Sequence, residues 1–117
     1  MVNKESVVVV TGAANGIGRE IAKLYGELGA NVILVDQDRK GGEEAAATLK
    51  DAGVNALFIE GDVGEEATAL HVMDVIRGQF GHLDILINNA GVSAFVPLLD
   101  MTTEQWDRII HSNLRSV

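Results

Sequence analysis

The stretch that decides the fold is Thr11-Gly12-Ala13-Ala14-Asn15-Gly16-Ile17-Gly18. It follows a β-branched run, Ser6 to Val10, which is typical of a strand buried on both faces. After it, apolar residues recur three and four positions apart up to Leu28, which predicts a helix with an apolar stripe and a stop at Gly29. The glycines allow a tight turn, and a helix start offers N–H groups that can hold a pyrophosphate. A glycine-rich turn with no ligand is the alternative.

The same alternation of short apolar runs and helical segments continues along the chain. Further strands are predicted at 31–35, 56–59 and 83–87, and further helices at 39–52, at 65–80 and after residue 102. This alternation predicts an α/β domain with a doubly wound parallel sheet of the Rossmann type. The right-handed crossover rule limits the arrangement, and doubly wound sheets of the dinucleotide-binding kind have the strand order 3-2-1-4. We expect one domain over residues 1–117.

Composition excludes several classes of function. The chain has 117 residues, with 9 Lys and Arg against 17 Asp and Glu, and its net charge of −8 argues against nucleic-acid binding. It has no Cys, and its three His lack the spacing of metal ligands, so no metal site is predicted. The apolar run from Val7 to Val10 is too short for a membrane span or a signal peptide. We therefore expect a cytoplasmic protein that binds no membrane.

An acidic residue ends the second predicted strand. Asp36 lies 18 residues after Gly18, close to the spacing at which an acid accepts hydrogen bonds from an adenosine ribose. A carboxylate there also repels the extra phosphate of NADP, and Gln37 follows where a basic residue would favour that phosphate. This favours NAD over NADP, although Arg39 could still reach a phosphate. A solvated turn residue is the alternative role for Asp36.

These motifs together resemble the short-chain dehydrogenase/reductase family. Its Thr-Gly-x-x-x-Gly-x-Gly pattern is matched at 11–18, its Asp-Val pair at Asp62-Val63, and its Asn-Asn-Ala-Gly signature at 88–91. The resemblance covers essentially the whole chain. It implies hydride transfer between a nicotinamide cofactor and an alcohol or carbonyl substrate.

The resemblance also implies a role for each matching residue. The glycine loop would hold the pyrophosphate, Asp36 the adenosine ribose, and Asp62 with Val63 the adenine. Asn89 would line the cofactor and brace its strand against the loop after Thr11, which buried amides at strand ends also do without a ligand. The predicted cofactor-binding residues are Gly12, Asn15, Gly16, Ile17, Gly18, Asp36, Asp62, Val63, Asn89, Ala90 and Gly91.

One candidate catalytic residue lies on the last predicted helix. Trp106, Ile109, Ile110 and Leu114 mark an apolar face there, and Asn113 falls on the same face. A polar side chain on a buried stripe needs a partner or a purpose. By resemblance, Asn113 would help to hold a water molecule in a proton relay. An asparagine satisfied inside the core is the alternative.

The family's Tyr-x-x-x-Lys pair is absent from this sequence. Its one tyrosine, Tyr25, is followed four positions later by Gly29. We therefore expect a truncated chain, the N-terminal cofactor-binding half of an NAD(P)-dependent oxidoreductase, with an incomplete sheet. Alternatives are a stand-alone nucleotide-binding module or pseudoenzyme, and a different Rossmann enzyme such as a methyltransferase. The uncovered edge of the fourth strand predicts a homo-oligomer.

Overall fold

The computed structural model describes residues 2–89. Four strands and three helices alternate along this part of the chain. The strands are β1 (Val7–Thr11), β2 (Asn31–Asp36), β3 (Ala56–Glu60) and β4 (Ile85–Asn88). The helices are α1 (Gly16–Glu27), α2 (Arg39–Asp51) and α3 (Glu66–Gln79). The last strand begins two residues later than the sequence pattern predicts. Just before it, the N–H of Val7 at the start of β1 donates to the side-chain Oδ2 of Asp84 and not to a backbone carbonyl of this segment.

All strand pairs are parallel, and the sheet order is β3-β2-β1-β4. The predicted fold class and strand order are therefore confirmed. The last residues of the strands are in register, since Thr11 at the end of β1 pairs with Asn88 in β4, and Asp36 at the end of β2 pairs with Glu60 in β3. The carboxyl ends of all four strands thus meet at one edge, which is where open parallel sheets bind ligands.

The core lies on both faces of the sheet. Alternate residues of β1 point in opposite directions, so Val7 and Val9 join the cluster beneath α3, while Val8 and Val10 join the cluster beneath α1 and α2. Every residue of β1 is buried. This double burial explains why the strands appear in the sequence as continuous apolar runs.

The apolar stripe predicted for α1 is confirmed only in part, since Ile21 and Tyr25 pack partly buried against the core. The fully buried residues of the helix are small ones, Gly18, Ala22 and Gly26. Ile17, Leu24 and Leu28 are exposed, at 72%, 59% and 59%. A Cβ at Gly26 would stand only 3.0 Å from both methyl groups of Val54, so small residues are what allow the close approach of this helix.

Candidate functional site

The glycine loop is shaped by close backbone contacts after β1. Gly12 and Gly16 have φ values of 63° and 59°, which favour glycine. A Cβ at Gly18 would overlap the carbonyl oxygen of Gly12 and lie 2.8 Å from Nδ2 of Asn89. At Gly16, by contrast, a Cβ would meet nothing within 4 Å, so the start of α1 faces open space.

No side chain caps the N-terminus of α1. Asn15 occupies the cap position with an extended backbone, but its side chain makes no capping hydrogen bond. Its Nδ2 instead donates to Oδ2 of Asp38, 3.1 Å away. The first turn of α1 also carries no acidic residue. The N–H groups and the positive end of the helix dipole are therefore presented to a ligand with negative charge.

Asp36 is held beside this loop by two backbone groups. Its Oδ2 accepts a hydrogen bond from the N–H of Ala14 at 3.0 Å, and its Oδ1 accepts one from the N–H of Asp38 at 2.9 Å. The side chain is half-buried. Because an ionised carboxylate offers about four acceptor positions, two remain for hydroxyl groups of a ligand.

A small cavity of about 70 Å³ joins three motifs that are distant in the sequence. Its lining residues come from the glycine loop, the end of β2 and the segment after β3: Gly12, Asp36, Gln37, Gly61, Asp62 and Val63. Val63 packs partly against the core beneath α3, while the carboxylate of Asp62 turns back to accept from the N–H of Gly64 at 2.9 Å. The sequence motifs do not include Gln37 and Gly61, although both adjoin motif residues.

The two asparagines after β4 brace the site. The hydroxyl of Thr11 donates to Oδ1 of Asn88 at 3.0 Å, and Nδ2 of Asn89 donates to the carbonyl oxygen of Gly12 at 3.3 Å. The bracing contact expected of Asn89 is thus present. It holds the same carbonyl that Gly18 approaches, so β4, the glycine loop and α1 meet at one point.

Asp38 is a site residue that the sequence motifs do not single out. It caps α2, where its Oδ1 accepts from the N–H of Gly41 at 3.0 Å. This hydrogen bond, followed by the one from Asn15, holds the pKa of Asp38 below its usual value. The available signal was the spacing from Asp38 to Gly41, since an aspartate at the cap position accepts from the N–H three residues later.

Three predicted site residues, Ala90, Gly91 and Asn113, lie outside the described residues. Among residues 2–89, no group of three His, Asp or Glu side chains could hold a metal ion. In the same range, no helix is long and apolar enough to cross a membrane.

Comparison with known proteins identifies the family to which this chain belongs. The sequence model for short chain dehydrogenases matches residues 6–117, and the chain belongs to that family. Cis-4-hydroxycyclohexanecarboxylate dehydrogenase of Sinomonas cyclohexanicum is 40% identical over 114 residues, covering 97% of this chain and 45% of the relative. The chain thus spans less than half the length of this relative.

Two solved structures of the family contain different nicotinamide cofactors. A short-chain dehydrogenase/reductase from Burkholderia phymatum in complex with NAD has a TM-score of 0.68 and 31% identity, over 69% of this chain and 29% of that one. A metagenomic short-chain oxidoreductase in complex with NADP has a TM-score of 0.72 and 33% identity, over 92% of this chain and 49% of that one. The family resemblance therefore supports a nicotinamide cofactor without choosing between the two.

Proposed function

We propose that this chain is the dinucleotide-binding part of an oxidoreductase that uses NAD to transfer a hydride to or from an alcohol or carbonyl carbon. The observation that carries the proposal is the uncapped N-terminus of α1 beside the carboxylate of Asp36. A helix start of this kind binds a pyrophosphate, and a neighbouring carboxylate binds ribose hydroxyls. The cofactor itself would supply the hydride donor or acceptor.

The residues around the cavity fit such a cofactor. The N–H groups from Gly16 to Gly18 would hold the pyrophosphate, and the open space at Gly16 leaves room for it. Asp36 would accept from the adenosine ribose, and Asp62 with Val63 would contact the adenine at the cavity that they share with Asp36. Asn15 and Ile17 would flank the pyrophosphate, while Asn89, Ala90 and Gly91 would line the nicotinamide half.

Charge near Asp36 favours NAD over NADP. The extra phosphate of NADP would come close to this carboxylate, and like charges repel. Arg39 is the basic residue that could offset the repulsion. Its Nε lies 3.2 Å from Oε1 of Glu43 in an exposed ion pair. The chain therefore offers the ribose an acidic rather than a basic partner.

The transfer of a hydride to or from the substrate is accompanied by the transfer of a proton, in which one residue of this chain would take part. We propose that Asn113 holds a water molecule in the proton relay, and that an acid/base pair outside this sequence serves the substrate oxygen. A phenol is a poor base at neutral pH unless a cation lowers its pKa, and Tyr25 has Gly29 where such a lysine would stand. The whole enzyme would act on a small alcohol or carbonyl compound in the cytoplasm, as a homo-oligomer.

Calorimetric titration tests the cofactor proposal. NAD+ and NADP+ are titrated into the chain and into Asp36→Ala, with Asp51→Ala at the far end of α2 as the matched acidic control. We expect Asp36→Ala to weaken NAD+ binding about tenfold, as for loss of a hydrogen bond to a charged group. It should also reduce the preference over NADP+, and the control should change neither.

Two results of these titrations would contradict the proposal. If Asp36→Ala changes neither affinity nor preference, Asp36 is only a turn residue. If S-adenosylmethionine binds and NAD+ does not, the chain is a different kind of nucleotide-binding protein. Intact mass of the protein from its natural source then separates a longer enzyme from a stand-alone module.

A further inference from the structure

Asn15 and Gly16 form an asparagine–glycine pair at an exposed point of the glycine loop. Asn15 is the only asparagine of the chain that precedes a glycine. Both residues are exposed, whereas Ala13 and Ala14 just before them are fully buried. Because glycine has no Cβ, the peptide nitrogen after such an asparagine can be approached closely by the asparagine side chain. The pair is therefore of the kind whose side chain the backbone attacks most readily.

The peptide nitrogen of Gly16 is open to attack and to loss of its proton. Gly16 begins α1, so its N–H has no acceptor within the helix. Among the described residues, it also donates to no backbone acceptor outside the helix. The φ of Gly16 is 59°, and a Cβ there would meet nothing within 4 Å, so this side of the peptide faces solvent.

The side chain of Asn15 is held by one exposed contact. Its Nδ2 donates to Oδ2 of Asp38 at 3.1 Å, and the side chain makes no hydrogen bond to the first turn of α1. A single hydrogen bond between exposed groups adds little to stability, because water replaces it when it breaks. Rotation of the side chain toward the nitrogen of Gly16 is therefore inexpensive in free energy.

We propose that Asn15 is a site of spontaneous deamidation, and that its conversion to aspartate closes the start of α1 to anions. The nitrogen of Gly16 gives its proton to water or hydroxide and attacks Cγ of Asn15. The bond from Cγ to Nδ2 breaks, and Nδ2 leaves as ammonia with a proton from solvent. Water then opens the cyclic imide and leaves aspartate or isoaspartate at position 15, with no change of oxidation state.

The new carboxylate changes both contacts of this side chain. It cannot donate to Asp38, since both groups are then negatively charged acceptors. An aspartate just before a helix instead accepts from N–H groups of the first turn and stabilises the positive end of the helix dipole. The inference rests on the proposed function at this point, because the N–H groups of Ile17 and Gly18 would then be unavailable to a pyrophosphate.

Peptide mass spectrometry of the full chain tests the modification. The chain is incubated at mildly alkaline pH with and without saturating NAD+. Asn3 and Asn55 are exposed controls in the same sample, since neither precedes a glycine. We expect conversion of Asn15 to be at least about tenfold faster than that of either control, because only glycine leaves the attacking nitrogen open. NAD+ should slow it, since a pyrophosphate at the helix start covers the N–H of Gly16.

Two variants test the closure of the helix start. Asn15→Asp is the product of the reaction, and Asn15→Gln keeps the amide on a longer side chain that closes the ring less readily. Calorimetric titration should show NAD+ binding to Asn15→Asp weakened about tenfold, as for loss of a hydrogen bond to a charged group. Its midpoint of thermal unfolding should not fall, because aspartate is a good helix cap. On incubation the wild-type chain should lose affinity for NAD+ in step with conversion, whereas Asn15→Gln should keep its own initial affinity.

The inference is overturned by either of two findings. Conversion of Asn15 no faster than that of Asn3 and Asn55 removes the modification site. Equal NAD+ affinity of Asn15→Asp and the wild-type chain, or a lower midpoint of unfolding in that variant, removes the closure of the helix start. If the wild-type chain binds no NAD+, the proposed function fails separately, and the mass spectra and unfolding curves still decide whether Asn15 is modified and whether the aspartate caps α1.

Discussion

The hydroxyl of Thr11 and the side-chain oxygen of Asn88 form a hydrogen bond of 3.0 Å between residues 77 positions apart. Thr11 is fully buried at the end of β1, and Asn88 is the residue paired with it in β4. The contact joins β1 to β4, the last strand of the described sheet, at the edge where the candidate site lies. Asn89 then continues the link to the carbonyl of Gly12.

Removal of the Thr11 hydroxyl should destabilise the chain. Thr11→Val keeps the shape of the side chain but deprives Asn88 of its donor. A half-buried acceptor without a partner costs about 1–3 kcal/mol in the free energy of unfolding. Urea unfolding measures the change, with Thr48→Val on the exposed face of α2 as control, for which less than about 0.5 kcal/mol is expected. Equal effects in the two variants would contradict the bracing role.

Gly18 should tolerate no side chain. The Cβ of Gly18→Ala would overlap the carbonyl oxygen of Gly12 and press on Asn89, so α1 must move away from the loop. We expect a loss of stability of about 1–3 kcal/mol, as for other overpacked sites, together with loss of NAD+ binding. Gly78→Ala in α3 is the matched control, because a Cβ there meets nothing within 4 Å. That variant should be more stable by about 0.4–1 kcal/mol.

Stability should fall as the pH rises through the titration of His82. Its ring nitrogens lie 3.0 Å from the carbonyl oxygen of Glu5 and 3.1 Å from that of Phe80, and only a protonated ring can donate to both. The carbonyl of Glu5, followed by the charge of Asp84, raises the pKa of His82 above 6.5. Its contribution is therefore complete below the unfolded pKa of about 6.5 and is lost above the folded one.

Urea unfolding of the wild-type chain and of His82→Gln between pH 6 and pH 9 tests the direction of this change in stability. The difference in stability between them should shrink as the pH rises from 6 toward 9. A difference that grows with pH would show that the neutral ring is the form that stabilises the fold.

Self-association should depend on the exposed face of α1 or on the edge of β4. Leu24 and Leu28 are each 59% exposed, and within residues 2–89 the strand β4 pairs with β1 alone. Sedimentation velocity at increasing concentration should show association, and Leu24→Gln with Leu28→Gln should weaken it if the helix face is involved. An unchanged association constant assigns the contact to the strand edge, and a monomer at every concentration contradicts the prediction.

The order of strands and helices could be predicted from the sequence, but only part of the buried face of α1 could. Continuous apolar runs such as Val7 to Val10 identify strands covered on both faces, and the glycine stops identify the helix ends. Hydrophobic spacing correctly selects Ile21 and Tyr25, which pack partly buried against the core. It also selects Ile17, Leu24 and Leu28, which are exposed. The helix instead buries Gly18, Ala22 and Gly26, because only small residues allow it to approach the sheet so closely.

The sequence by itself determined the parallel sheet, the glycine loop and the acid at the end of β2, because each depends on local spacing and on the handedness of short crossovers. Only the tertiary structure decided the partner of Asn15. An asparagine before a helix can cap its own helix or reach another element, and both choices satisfy its amide. Asp38 approaches Asn15 only after β1 and β2 have paired, so the open start of α1 is a property of the folded chain.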